Sequence, residues 1–194
     1  MIEVEELAGG RERIRERLPL TETAVEANHA TPCIRNARSL LLSALASAHL
    51  GEAERSRELE EAADAFETRG FEHALGPPLI HLALLRRELD EVERLLAAIS
   101  GTGRQTWFGV AIAPARLDAW LALGDRASVE AEAPSLLVSG AYVEPFGRRA
   151  LGVLREDDEL VVRAAACFEA MRLDWHAAQT RALLSGGAAL DSRS

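Results

Sequence analysis

Apolar residues recur at spacings of three and four along most of this chain, a pattern typical of amphipathic helices. The clearest stripe lies between Thr31-Pro32, which resembles a helix start, and Gly51, which resembles a helix stop. The residues of this stripe are Ile34, Ala37, Leu41, Ala44, Leu45 and Ala48. On a second line, Ser39, Ser43 and Ser47 are small enough to let a neighbouring helix approach.

A second apolar stripe follows over residues 53–69 and ends at Gly70, so the two helices predict an antiparallel hairpin. The same pattern recurs, and the hairpin turns are predicted at Gly51, Arg87, Gly124 and Arg155, separated by 36, 37 and 31 residues. Tetratricopeptide repeats have a period of about 34 residues. One hairpin cannot cover its own apolar face, so stacking is needed. The sequence therefore predicts an all-α, right-handed α-solenoid of stacked antiparallel helical hairpins, tetratricopeptide-like.

The domain organisation follows from where this pattern is strong. Residues 1–30 are highly charged and interrupted by Gly9-Gly10, which predicts a marginal N-terminal helical segment that faces solvent. Residues 31–185 form the predicted repeat domain, and residues 186–194 are expected to be a disordered tail.

Charge and composition exclude several classes of function. The net charge is −9, and a nucleic-acid binder normally needs a basic face, so no nucleic-acid partner is expected. The chain contains no lysine, which excludes a Walker A lysine and Schiff-base chemistry. Two cysteines, no signal-peptide pattern and no apolar run of about 20 residues predict a cytoplasmic protein without a membrane span.

Catalytic and metal-binding patterns are not found. His29 and Cys33 lie four residues apart, but no second ligand pair follows, so a loop histidine beside a core cysteine is the better interpretation. The chain has neither a G-x-S-x-G elbow nor an H-E-x-x-H pattern. We therefore expect a non-enzyme without metal or cofactor.

Two segments carry a family resemblance. One is residues 32–41 (PCIRNARSLL), followed by Leu50-Gly51-Glu52; the other is residues 164–171 (AAACFEAM), followed by residues 175–184 (WHAAQTRALL). They resemble the C-terminal tetratricopeptide-like region of large bacterial signalling ATPases and adenylate-cyclase-type regulators. The resemblance implies a regulatory or scaffolding role through protein contact. It also implies that the chain either stands alone or is a C-terminal piece of a larger signalling protein.

The leading functional hypothesis is a non-catalytic protein-interaction or regulatory scaffold domain. Its partner would be another protein, or other domains of a larger signalling protein, and a homodimer through the C-terminal hairpin is possible. If first helices line the concave groove, the helical register places Arg38, His49, His81 and Asp118 in it.

The alternative hypothesis is a small-ligand sensor that binds a metabolite between hairpins. Its ligand would lie at the edge formed by Trp107, Phe108 and Trp120.

Overall fold

The computed structural model describes residues 2–28, 33–66, 69–100 and 109–187. In these ranges the chain forms twelve α-helices and one 3-10 turn, and no strand. The helices are α1 Ile2–Leu7, α2 Arg11–Glu16, α3 Leu18–Ala27, α4 Ile34–His49, α5 Ala53–Asp64, α6 Glu72–Arg86, α7 Leu89–Ser100, α8 Gly109–Leu123, α9 Arg126–Glu132, α10 Glu144–Arg155, α11 Asp158–Ala170 and α12 Asp174–Gly187, with the 3-10 turn at Ala133–Leu136. The all-α prediction is confirmed.

The chain divides into two compact units, Met1–Ala115 and Arg116–Ser194. The division falls inside α8. At the C-terminal end, Gly186 and Gly187 belong to α12, and the rest of the predicted tail lies outside the described residues. The predicted domain boundaries and the right-handed stacking stay predictions.

Successive helices are joined by corners of one geometry, which occurs six times in the described residues. Each corner contains one residue in the left-handed conformation, and these residues are Gly9, Gly51, Arg87, Gly124, Glu156 and Arg172. The next residue donates its amide to the carbonyl five residues earlier, at 2.7 to 3.0 Å. That same residue accepts, through its own carbonyl, the first hydrogen bond of the following helix. One residue therefore closes one helix and opens the next.

These corners test the turns that the sequence predicts. The predicted turns at Gly51, Arg87 and Gly124 are confirmed. The turn predicted at Arg155 lies one residue later, at Glu156. Asp125 and Asp157 also cap the helices that they open, because their carboxylates accept the amide of the third residue onward.

In the unit Met1–Ala115, α4 is the central helix and packs against α1, α2, α3, α5 and α6. Its core side includes Leu41, Ala44 and Leu45, which pack with Leu59 of α5 and Leu82 of α6. Burial extends around almost the whole helix, which explains why its sequence is apolar or small on nearly every side.

The line of small residues along α4 is also buried. Ser43 and Ser47 are inaccessible to solvent, as the sequence pattern indicates, and the Ser43 hydroxyl donates to the carbonyl of Ser39 at 2.9 Å.

The N-terminal segment contributes more to this unit than its charged sequence suggests. Ile14 of α2 is completely buried and Leu18 of α3 joins the core around α4. The segment is therefore docked on α4 rather than solvated on all sides.

In the unit Arg116–Ser194, the core between α10, α11 and α12 is aromatic. The Phe146 and Phe168 rings meet edge to face with centroids 4.8 Å apart, and the His176 ring stacks on Phe168 at 5.3 Å. The helices approach closely at Gly152, where an added Cβ would lie 2.7 Å from Cγ2 of Val161. Glycine at this position is therefore a packing requirement.

The corner geometry predicts that Glu156→Gly stabilises the fold. A non-glycine residue in the left-handed region is strained, and relief of that strain should exceed the entropy lost by glycine, for a net gain of about 0.5–1 kcal/mol. Urea unfolding of the variant measures this gain. As a control, Ala166→Gly at an exposed position inside α11 should lose about 1 kcal/mol. Destabilisation by both variants would contradict the strain argument.

Candidate functional site

The residues predicted to bind a partner fall into both units. Arg38, His49 and His81 belong to Met1–Ala115, and Asp118 belongs to Arg116–Ser194. Trp120 is in the second unit, whereas the predicted ligand-edge residues Trp107 and Phe108 lie outside the described residues.

Arg38 lies near the start of α4 and is only 3% exposed. Its Nε donates to Oε1 of Glu3 at 3.3 Å, and its Nη1 donates to the carbonyl of Ala74 in α6. Burial lowers the pKa of Arg38, while the negative charges of Glu6 and Glu3 raise it. The guanidinium therefore links α4 to α1 and α6, and α1 covers the face that the register assigns to a groove.

His49 lies at the opposite end of α4 and is half-buried. Burial, and then the positive charges of Arg11 in α2 and His81 in α6, lower the pKa of His49 to about 4. Three helices thus bring Arg11, His49 and His81 close enough for their charges to interact. His49 is neutral at physiological pH.

The predicted groove residues of this unit thus belong to two polar groups, Arg38 with Glu3 and Glu6, and His49 with Arg11 and His81. Each group includes residues of the N-terminal segment. A general base at neutral pH works best with a pKa near 7, and His49 is far below that value. The His49 group is therefore poorly suited to proton transfer.

Asp118 lies in a different environment. Its Oδ1 accepts a hydrogen bond from Nη2 of Arg149 at 2.6 Å, which ties α8 to α10. The Arg149 guanidinium also lies 5.3 Å from the centre of the Phe146 ring. Asp118 is thus held by a neighbour within its unit, and any contact with a partner would have to include or displace Arg149.

Trp120 is 8% exposed and lies in the packed interior of its unit. The guanidinium of Arg116, one turn earlier in α8, lies 4.7 Å above the Trp120 ring. Nη2 of Arg116 lies 3.5 Å from Oε2 of Glu132. Trp120 therefore packs against an arginine that is paired with a glutamate, and the predicted ligand edge stays a prediction.

Glu144 is a charged residue that sequence reasoning missed. Buried at the start of α10, it accepts two hydrogen bonds from Arg148 and one from the amide of Gly140. Arg148 and then the Gly140 amide hold the pKa of this carboxylate below its usual range. Glu144 thus fixes the loop before α10 and stays ionised.

Glu3, Glu6, Arg11 and Arg149 were also missed as site residues. A charged residue in a charge-rich segment carries no local signal that distinguishes burial from exposure. These residues can be recognised as part of a site only from their contacts with helices that are distant in the sequence.

The described residues give little support for a metal site or for a catalytic pocket. Among the described residues, no group of three or more His, Cys, Asp or Glu side chains could hold a metal ion. Cys33 and Cys167 are free, half-buried thiols in different units. A shallow depression of about 750 Å³ at the α6–α7 corner is lined by Arg87, Glu88, Leu89, Asp90, Glu91 and Arg94. Its lining is an ordinary charged helix start, with Arg94 paired to Glu91.

Comparisons with protein-family models, curated proteins and solved structures found no match for this chain. The resemblance to tetratricopeptide-like signalling regulators stays a prediction from the residues. Across the described helices, none combines the length and the apolar character needed to cross a membrane.

The lowered pKa of His49 predicts an acid-sensitive fold. The unfolded chain binds more protons than the folded chain between pH 6.5 and about 4, so the free energy of unfolding falls as the pH drops through this window. We expect the wild type to lose about 1 kcal/mol more than His49→Gln between pH 7 and pH 5, a value reduced for partial solvent exposure. Urea unfolding at both pH values measures the difference.

The window from pH 7 to pH 5 separates the contribution of His49 to stability from the contributions of the carboxylates. The pKa values of Glu91, Asp125 and Glu144 are lowered by their hydrogen-bonding partners, so their contributions are lost only in stronger acid. An equal loss of stability in wild type and His49→Gln would show that His49 does not carry the acid sensitivity.

Proposed function

We propose that this chain is a non-catalytic protein-interaction or regulatory scaffold built as a right-handed, tetratricopeptide-like array of helical hairpins. The observation that carries the proposal is the corner of constant geometry, which joins α1 to α2, α4 to α5, α6 to α7, α8 to α9, α10 to α11 and α11 to α12. Arrays of such hairpins bind partners through the extended surface formed by successive helices.

The titratable groups also favour a scaffold over an enzyme. Where a carboxylate pKa is shifted in the described residues, it is lowered by hydrogen-bond donors, which are an arginine for Glu91, Glu130 and Glu144, the Ser128 hydroxyl for Asp125 and backbone amides for Glu72. Catalytic acids at neutral pH need the opposite shift. These carboxylates therefore act as permanent anions that pair helices and caps.

The partner class follows from the family resemblance and from the charge. A cytoplasmic bacterial signalling or transcription-regulating system supplies protein partners, or further domains of a larger protein, and a homodimer is a variant of the same contact. The net charge of −9 disfavours nucleic acid as the bound molecule.

An affinity pull-down from a native lysate of the source organism tests this function. A protein partner should be enriched by the wild-type chain, and His81→Ala should reduce its affinity about 5- to 30-fold, the usual loss for an important contact residue. His73→Ala is the matched control, because His73 lies on the same helix α6 and is also half-buried. Capture that is equal for both variants would remove His81 from the binding surface, and no enriched protein would contradict the scaffold.

A small-ligand sensor is the second candidate, and the stacked Arg116–Trp120 pair favours it. An anionic metabolite that drew Arg116 away from Glu132 would change the surroundings of the Trp120 ring. We expect such a ligand to shift the intrinsic tryptophan emission of the wild type but not of Trp120→Phe. No change in emission across a panel of anionic metabolites would argue against the sensor.

A further inference from the structure

We propose that α1 (Ile2–Leu7) is a displaceable acidic plug, and that the surface beneath it on α4 and α6 is a docking site for an acidic helical segment of a partner protein. The inference rests on the proposed scaffold function and names the chemistry of its partner. It follows from how α1 is held, from what lies beneath it and from the charges on both sides.

Apolar burial contributes little to the docking of α1. The one residue of this helix that is buried is Glu6, whereas Val4 is 69% exposed and Ile2 and Leu7 are only half-buried. A helix of six residues is not stable by itself in water. Its position therefore depends on its corner with α2, where the Gly10 amide donates to the Glu5 carbonyl at 2.7 Å, and on its side-chain polar contacts.

The side-chain polar contacts of α1 are ion pairs between long side chains. Glu3 meets Arg38 at 3.3 Å, and Glu5 meets Arg13 and Arg17 of α2 at 3.4 Å each. These separations are at the long end of the hydrogen-bonding range. Arg13 is largely exposed, so solvent and salt screen its pair. The attraction holds α1 in place but does not lock it.

The burial of Glu6 opposes the docking of α1. This residue is 8% exposed, and its Oε2 is buried without a hydrogen-bond partner. A buried carboxylate oxygen that accepts no hydrogen bond carries a desolvation penalty, and the attraction between Glu6 and Arg38 acts against it. Release of α1 would hydrate this oxygen and remove the penalty.

The surface beneath α1 does not depend on α1 for its shape. Close to Arg38, α4 is held in the core by Leu41, Ala44 and Leu45, which pack with residues of α5 and α6. When α1 leaves, the Arg38 guanidinium gains water and can keep its bond to the carbonyl of Ala74. The result is a face that the core holds in shape and that presents the planar Arg38 cation.

That face fits a segment with the chemistry of α1. Arginine presents a fork of donors that matches carboxylates. Glu3 and Glu6 are three residues apart, so one helix face directs both carboxylates toward the same guanidinium. A partner with two carboxylates at this spacing on a short helix would make the same contacts with Arg38 that Glu3 and Glu6 make.

The test uses the full chain and a fluorescent synthetic peptide with the sequence of residues 1–10. In Glu3→Arg, the new cation is repelled by Arg38 and α1 is released. If α1 covers its site about 90% of the time in the wild type, release raises the affinity for the peptide about tenfold. Fluorescence anisotropy measures both affinities. Glu12→Arg is the matched control, because Glu12 is an exposed glutamate of α2, and it should bind the peptide as weakly as the wild type does.

Two further variants define the chemistry of the site. Arg38→Gln in the Glu3→Arg chain should abolish the gain in affinity, and a peptide with glutamine at positions 3, 5 and 6 should not bind. No binding of the acidic peptide to Glu3→Arg would overturn the proposal. Binding that ignores Arg38, or equal binding of the glutamine peptide, would also overturn it, because the surface would then be apolar rather than charge-selective.

Amide hydrogen exchange shows whether α1 moves and whether the variants are folded. The amides of Ala8, Gly9 and Gly10 donate to carbonyls of α1 and report its docking. In the wild type they should exchange faster than the amides of α4, and faster still in Glu3→Arg, while α4 keeps its protection. Protection of α1 equal to that of α4 in the wild type would show that α1 is a fixed part of the fold.

The result of the peptide assay does not depend on the result of the pull-down. The peptide experiment needs no natural partner, so an inert α1 would leave the scaffold function standing. A peptide that binds only after α1 is released, together with an empty pull-down, would support the docking site and reject the wider scaffold function.

Discussion

Six pairs of successive helices in the described part of the chain are joined by a corner in which one residue ends a helix with its amide and begins the next with its carbonyl. The arrangement leaves no room for a loop and requires a left-handed residue immediately before it. The helices joined in this way include the closely packed pairs α4–α5, α6–α7, α10–α11 and α11–α12. At Gly152 the approach is so close that a side chain would meet Val161. The packing of each hairpin is thus set at its corner.

A central helix surrounded by neighbours creates a second constraint, because its polar positions cannot all reach water. Arg38 and His49 mark the two ends of α4, and each is covered by part of the N-terminal segment. Arg38 is balanced by carboxylates, whereas His49 stays neutral. On the same helix, the buried Arg38 keeps its charge and is paired with carboxylates, whereas His49 loses its charge.

The sequence predicts the helices and most corners because their signals are local. Apolar spacing of three and four defines α4, and Gly51 and Gly124 mark turns that need a positive φ. Glu156 carries no such signal, which explains the error of one residue at that corner. The candidate site is different in kind. Arg38 and Glu3 are 35 residues apart, and Asp118 and Arg149 are 31 apart, so no periodicity relates them.

The lack of lysine gives these distant pairs a physical consequence. A buried lysine can lose its proton, but arginine keeps its charge even when burial lowers its pKa. Arg38 is almost completely buried, so the unit Met1–Ala115 must supply negative charge beside it. Around Arg38 that charge comes from α1, an element with almost no apolar anchor of its own. An interior cation that cannot be neutralised therefore requires an acidic cover, and nothing in its chemistry requires that the cover belong to the same chain.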